Sequence, residues 1–495
     1  MTGEYQPRLE QDDTPREECG VFAVIRLDGE PDPTMANKAY RGLLGLQHRG
    51  EDAAGITVYT RRTRYKFHTY KDKGLIASVF AGGDRLSGFP DGSVALAHTR
   101  YSTAGKSGDA AEKARRAHPH GSKRFDYMIA TNGHMKEKEG NGKSDVENLV
   151  DDIDTRMTDT GEDFKASLLT ELGTLTGGYS LIASDGNRLI AARDPWGLRP
   201  LVHATDGEYH YFSSEDGALR IPSLGVRPHQ ITEVPPGKMI TITPGQEIEY
   251  DDIYQDPIPL GKTALCSMEW AYFARPDSTM GGRNVQQVRM DIGKFLAEQE
   301  AADFDADIVI GVPESGSESA VAYAEALGIP YRRAIHKNAY IGRTFIQENQ
   351  EARVDAAWLK FRVNPAQVVG QRVVVVDDSI VRGTNSRVIA EMLREAGALE
   401  VHMRAGFPEH RFSCVYGIDT GDPAQLIANK MTSEEMVAYL GVDSLGFITP
   451  ENLKRAISTK VGGICMACVT GYYPTAGRAV DLAMPAVPTT PSRLT

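Results

Sequence analysis

The sequence predicts two mixed domains in succession, a β-rich α+β half followed by a parallel α/β half. Three observations predict it. At 495 residues the chain exceeds one ordinary hydrophobic core, and chains of this size divide into about two to four domains. Between Cys19 and about Tyr250, short apolar runs alternate with tight-turn signals, the pattern of antiparallel strands. Beyond Lys262 the order becomes apolar strand, glycine-containing loop, helix and strand again, the signature of a parallel sheet.

The elements follow in order. Cys19 to Arg26 is a short β-rich run, and Ser180 to Ala192 alternates across an Asp185-Gly186-Asn187 turn as a hairpin does. Lys238 to Tyr250 repeats that form around Pro244-Gly245, while Lys, Gly and Asn mark His134 to Asn148 as a surface loop. Pro257 and Pro259 place a linker within Asp251 to Lys262. Ala306 to Val312 and Gln371 to Val376 read as buried strands. The first leads through Pro313-Glu314-Ser315-Gly316 into a helix ending near Leu327. The second leads through Asp377-Asp378 into a helix over Asn385 to Glu395 and a strand near Val401. The Pro-, Ala- and Thr-rich tail after Pro474 is expected to be disordered, and no internal repeat is present.

Composition narrows the function classes. A net charge of −12 argues against nucleic acid as the main partner, because phosphate backbones want a basic surface. No apolar run reaches the length of a membrane span, and the polar, acidic first eighteen residues do not read as a signal peptide. A cytoplasmic location is expected, where five cysteines do not form a disulfide framework.

The strongest motif runs from Val373 to Ser386. A buried strand ends in Asp377 and Asp378, and a loop of small residues then enters a helix. Amides and hydroxyls of Gly383, Thr384 and Ser386 suit a phosphate beside the positive end of that helix, and Ser379 is a further binding candidate in the same run. Paired aspartates suit a ribose diol and, indirectly, Mg²⁺. An isolated Asp-Asp more often caps a helix; the whole run favours phosphate. It resembles the phosphoribosylpyrophosphate (PRPP) signature of type I phosphoribosyltransferases, which implies 5-phosphate binding at Arg382 to Ser386 and ribose binding at the aspartates. Ser315 and Gly316 resemble that family's pyrophosphate loop, with Glu314 in place of a usual Asp. Lys337 to Phe345 resembles its mobile flap, with Lys337 and Arg343 toward the leaving pyrophosphate; Ala339 and Asn385 are further departures.

The first half carries Cys19 in Glu18-Cys19-Gly20, then Gln47-His48-Arg49-Gly50, His98-Thr99-Arg100-Tyr101-Ser102-Thr103, Asn132-Gly133, Gly177-Gly178-Tyr179 and Arg193-Asp194-Pro195. This order resembles N-terminal-nucleophile glutamine amidotransferases, and the two halves together resemble the glutamine PRPP amidotransferase family. The resemblance implies an N-terminal-nucleophile (Ntn) hydrolase αββα sandwich over 19–255, after a propeptide over 1–18. It implies a type I phosphoribosyltransferase α/β domain over 256–474 and a disordered tail over 475–495. A nucleophile freed at the N-terminus has its own α-amine as base, with a pKa of about 8. By the same resemblance Arg100 and Thr103 bind glutamine, Asp159 binds its α-amine, and Asn132 with the Gly133 amide forms the oxyanion hole. Glu51, His118, Thr131, His134 and Gly161 depart from the family pattern.

Cys266, Cys414, Cys465 and Cys468 remain. Four thiolates hold zinc or a [4Fe-4S] cluster, and spacing alone does not choose. Their contexts resemble the iron-sulfur branch of the family. The expected activity is ammonia transfer from glutamine to PRPP, giving 5-phosphoribosylamine, glutamate and pyrophosphate, the first step of purine synthesis. Purine nucleotide inhibitors and a homotetramer are implied by the same resemblance. The departures keep two rivals open: a paralogue acting on a related phosphosugar in secondary metabolism, and a non-catalytic PRPP or nucleotide sensor.

Overall fold

The computed structural model describes residues 19–80, 84–101, 114–135, 143–256, 258–259, 262–338, 358–418, 420, 422–459 and 462–475. The expected propeptide, Thr103, Arg343 and the rest of the flap from Ala339, and the tail from 476 lie outside these residues.

Among the described residues, thirteen strands build the first half. They are β1 (Gly20–Arg26), β2 (Ala53–Tyr59), β3 (Phe67–Lys73), β4 (Val94–Arg100), β5 (His120–Gly121), β6 (Met128–Met135) and β7 (Gly177–Ser184). There follow β8 (Leu189–Arg193), β9 (Val202–Thr205), β10 (Tyr209–Ser213), β11 (Thr232–Glu233), β12 (Lys238–Ile242) and β13 (Glu249–Asp252). One sheet has the order β11-β9-β10-β1-β4-β2-β3, the other β13-β12-β8-β7-β6-β5. Both predicted hairpins form, with β7 against β8 and β12 against β13.

Period-two alternation explains the layering. On β1, Val21, Ala23 and Ile25 meet Ala130, Ile182 and Ala191 between the sheets, while Phe22 and Val24 pack outward on Met35, Ala39 and Leu43. Those last three lie on the helix Met35–Leu44. The outer face of the second sheet is covered by the helices Asp145–Thr160 and Phe164–Thr174 through Leu149, Ile153 and Leu168. Helix, sheet, sheet and helix is the expected αββα sandwich.

The surface loop expected over His134 to Asn148 needs correction. His134 and Met135 still belong to β6, and Ser144 starts a sixteen-residue helix with a reciprocal capping box to Glu147. Ser-x-x-Glu is itself a helix-start signal, outweighed in the sequence by the neighbouring glycines and lysines.

The second half begins with β14 (Ala264–Cys266) and a small hairpin of β15 (Thr279–Met280) and β16 (Arg283–Asn284). Its parallel sheet contains β17 (Ile308–Gly311), then, after a side ribbon of β18 (Ile335–Lys337) and β19 (Phe361–Val363), β20 (Arg372–Asp377), β21 (Glu400–Ala405) and β22 (Ser444–Phe447). The order is β17-β20-β21-β22. Both faces are covered, Val374 and Val376 facing one core and Val373 and Val375 the other. Helices Ser317–Leu327 and Thr384–Glu395 follow β17 and β20 as predicted. Late in the chain β23 (Gly463–Cys465) returns to pair in parallel with β14.

Candidate functional sites

Cys19 stands one residue before β1. The register that pairs Gly20 with Thr99 brings Cys19 beside Arg100, and its Sγ lies 4.0 Å from the Tyr101 carbonyl oxygen. The Arg49 Nε donates to the Cys19 carbonyl at 3.3 Å. β1 and β4 pack across the sandwich on β6, which carries Asn132 and Gly133. Asn132 is 1% exposed, and its Nδ2 is buried with no hydrogen-bond partner among the described residues. An orphaned amide donor on the strand facing β1 suits an oxyanion. Gly133 must be glycine: φ is +123°, and a Cβ would lie 2.1 Å from the Gly178 carbonyl oxygen.

Two imidazoles hold this strand where β5 no longer covers it. The Thr131 amide donates to His118 Nδ1 at 3.3 Å, and His98 Nε2 lies 3.1 Å from the Thr131 carbonyl oxygen. Burial keeps both rings neutral, their pKa well below the ordinary value. His118, one of the departures from the family pattern, therefore serves as an acceptor for the backbone next to Asn132.

Asp159 does not join this site. It is exposed in the last turn of the Asp145–Thr160 helix, about 21 Å along the axis from Asp145 at a rise of 1.5 Å per residue. The Ser-Asp-x-Glu pattern stands instead at Ser144-Asp145-Val146-Glu147. Asp145 Oδ2 accepts from the Met135 amide at 3.0 Å, two residues beyond Gly133. Asp145 replaces Asp159 as the candidate carboxylate, and the capping box was the signal that could have found it.

The phosphate loop has the predicted form. Gly383 at φ +83° starts the Thr384–Glu395 helix, and a Cβ there would meet Ile427 at 2.7 Å. Asp378 accepts from the Ser315 hydroxyl and from Ser379 at 2.8 Å, so the pyrophosphate-loop candidate and the aspartate pair adjoin. Desolvation raises the Asp378 carboxyl above its usual pKa despite those hydroxyls. Gly316 packs so closely that a Cβ would lie 2.6 Å from the Val376 carbonyl oxygen. Arg382 Nη2 donates to Thr420 at 3.3 Å, and Lys337 is exposed on β18.

The four remaining cysteines share one neighbourhood. Cys266 and Cys465 are direct partners across β14 and β23. The Cys468 carbonyl accepts from the amides of Arg411 and Phe412, and Cys414 Sγ accepts from the Tyr416 amide at 3.3 Å. All are unpaired thiols. Burial, reinforced by the neighbouring sulfurs, pushes Cys465 up to about 12 and raises Cys266 and Cys468 as well. No three His, Cys, Asp or Glu side chains among the described residues converge to hold a single ion. An all-sulfur donor set of this kind suits either a zinc ion or a [4Fe-4S] cluster.

One network was not legible in the sequence. Arg49 pairs with Glu215 and, at 3.0 Å, with Glu269, all three side chains being fully buried. His48 lies 2.7 Å from Glu215. Burial alone would raise the Glu215 carboxyl, but His48 and Arg49 outweigh it and hold the group below the ordinary range. Arg49 stands in the Gln47-His48-Arg49-Gly50 motif, whereas Glu215 and Glu269 lie in stretches with no periodicity or spacing to mark them.

Fold and site together define an N-terminal-nucleophile glutamine amidotransferase domain joined to a phosphoribosyltransferase-type domain. No family model matches the chain. The amidophosphoribosyltransferase of Methanocaldococcus jannaschii is 38% identical over 481 residues, covering 92% of this chain and 98% of that one. That of Bacillus subtilis is also 38% identical, over 93% and 94%. Among solved structures, the B. subtilis glutamine PRPP amidotransferase complexed with ADP and GMP superposes with a TM-score of 0.78 at 35% identity, over 92% of this chain and 97% of that one. A structure described as the allosteric regulatory enzyme of purine biosynthesis gives a TM-score of 0.80 at 35% identity, over 95% and 98%. The chain belongs to the amidophosphoribosyltransferase family.

Proposed function

We propose that the chain transfers ammonia from glutamine to PRPP, giving 5-phosphoribosylamine, glutamate and pyrophosphate, with residues 19–255 as the glutaminase and 256–474 as the transferase. The observation that carries this reading is the orphaned Asn132 amide, on the strand that packs against β1 and β4, in a chain that also holds Cys19 and the Asp377-Asp378 phosphate loop. Once the preceding segment is removed, the α-amine of Cys19 takes the thiol proton and the sulfur attacks the glutamine amide carbon. The Asn132 Nδ2 and the Gly133 amide receive the developing oxyanion, while Arg100 and Asp145 hold the α-carboxylate and α-amine. The oxyanion collapses, ammonia leaves, and water releases glutamate from the sulfur. At the second site, Asp377 and Asp378 hold the ribose diol, and Ser379 with Arg382 to Ser386 binds the 5-phosphate. Ser315 and Gly316 cradle the pyrophosphate, which ammonia displaces from C1.

Asp377 and Asp378 would hold Mg²⁺ with the substrate, where it offsets pyrophosphate charge. Cys266, Cys414, Cys465 and Cys468 would hold a [4Fe-4S] cluster, which ties β14, the 411–417 segment and β23 together.

The test is glutamate and pyrophosphate release from glutamine, with and without PRPP and Mg²⁺, on anaerobically purified protein of known N-terminal mass. PRPP-dependent release of both products from a chain beginning at Cys19 is expected. An intact Met1 with no glutamate formed sinks the glutaminase assignment. Pyrophosphate release with free ammonia alone then points to the paralogue, and PRPP binding without turnover to the sensor.

A further inference from the structure

The Glu269–Phe273 segment is a π-helical turn, a form uncommon in proteins and frequent at functional sites. Its open carbonyls are gathered by one side chain. Arg289 Nε donates to Trp270 at 2.9 Å, and Nη2 donates to Tyr272 at 3.2 Å and Ala274 at 2.9 Å. Arg289 is 3% exposed and sits on the helix Val285–Ala297. Its planar fork suits several fixed acceptors at once, which a lysine does not match.

At the other side Arg289 faces the phosphoribosyl site. Its Nη1 lies 3.9 Å from Glu318 and its carbonyl accepts from Ser319 at 2.8 Å. Both belong to the first turn of the helix that follows the Glu314-Ser315-Gly316 loop. The two helices touch at Gly293, where a Cβ would lie 2.0 Å from the Ser319 carbonyl oxygen, so a shift of one moves the other. The positive charge of Arg289 is also felt by Asp378. At the far end of the turn, Glu269 bonds Arg49, which bonds the Cys19 carbonyl.

We propose that Arg289 is a positioning residue that couples the pyrophosphate loop to the nucleophile, by holding the π-turn that aims Glu269 at Arg49 and so fixes Cys19. Filling of the loop by pyrophosphate shifts the first turn of the helix behind it, and the change passes from Glu318 and Ser319 through Arg289 and the π-turn to Glu269, Arg49 and the Cys19 carbonyl. This rests on the two-site reading above and names how its sites communicate. Couplings of this kind change a partner site by about 5–150-fold.

The experiment compares wild type with Arg289→Met and Arg289→Lys in the full processed chain. Three quantities are read: glutamate release without PRPP, its stimulation by PRPP, and pyrophosphate release with ammonium ion as nucleophile. The rate at which a glutamine-analogue electrophile alkylates Cys19, with and without PRPP, gives a readout independent of turnover. In Arg289→Met, stimulation of release and of alkylation is expected to collapse, with basal release and the ammonium reaction kept; Arg289→Lys recovers a fraction. Wild-type-like stimulation in Arg289→Met overturns the proposal. So does an equal loss of all three activities together with a lowered melting temperature, which assigns Arg289 to the fold alone. Should Arg289→Met not fold, Glu269→Gln carries the same comparison, and undiminished stimulation there overturns it too. A wild type that releases glutamate without PRPP stimulation also sinks the relay; one that releases none sinks the glutaminase reading instead.

Discussion

At the scale of single residues, the nucleophile and its donor make separable demands. Cys19→Ala is expected to reduce glutaminase to background while pyrophosphate release with ammonium ion continues, checked by assaying both half-reactions. Asn132→Leu removes the proposed oxyanion side-chain donor; a loss of about 10²–10³ in kcat with little change in KM is expected from steady-state assays. Asp145→Asn should act the other way, raising KM for glutamine more than it lowers kcat, and Asp159→Asn should change neither. Lys71 gives a pH-dependent prediction. Burial, aided by Arg100 and Arg115 against Glu147, pushes its amine down to about 8, so acylation of Lys71 should reach half its limiting rate near that pH. Between pH 8 and the ordinary lysine value the unfolded chain then binds the extra proton, so this group makes folding stability rise with pH. Denaturant melts of wild type and Lys71→Met across that window check the sign. Cys19, Asn132 and the aspartate pair were legible because each sits in a local motif. Glu215, Glu269 and Arg289 were not, because their meaning comes from partners far away in sequence.

At the scale of elements, hairpins and βα units were readable, since turn chemistry and periodicity are local properties. The start of the Asp145–Thr160 helix was missed because turn-forming residues just before it dominated the window, and with it went Asp145 as a candidate carboxylate. Contacts between elements follow no local rule. Gly417, at φ +103°, lies against the oxyanion strand: a Cβ there would come within 3.0 Å of the Gly133 carbonyl carbon and 3.1 Å of the His134 amide. Arg199 fixes this segment by donating to the Tyr416 carbonyl at 2.6 Å. Gly417→Ala is expected to cost about 1–3 kcal/mol through the left-handed backbone alone, and to slow glutaminase more than the ammonium reaction. Thermal unfolding and the ratio of the two activities measure the two effects.

At the scale of the whole molecule, the two halves meet through the 194–199 turn as well as through Arg49. The amides of Ala264 and Cys266 donate to the carbonyls of Trp196 and Leu198 at 2.7 and 3.2 Å, so the cysteine neighbourhood is built directly on the glutaminase half. Cys465→Ser is therefore expected to lower the melting temperature and to weaken glutaminase as well as transferase; calorimetry and both assays check it. Iron and acid-labile sulfide in near-equal amounts on anaerobic purification support the cluster, and stoichiometric zinc refutes it. Sequence contexts pointed to these four residues as a group, but only the fold shows which surface they join.

The pairing of β14 with β23 joins segments about 200 residues apart in the chain, and a contact so distant in sequence forms late. On the ribosome, β14 emerges long before its partner is made. Until Gly463 to Cys465 are synthesised and released, Leu265 and Cys266 have no strand to cover them on that side. Translation must therefore reach almost the last described residues before the second half can close, and a prematurely terminated product would be left with that edge open to proteases and chaperones.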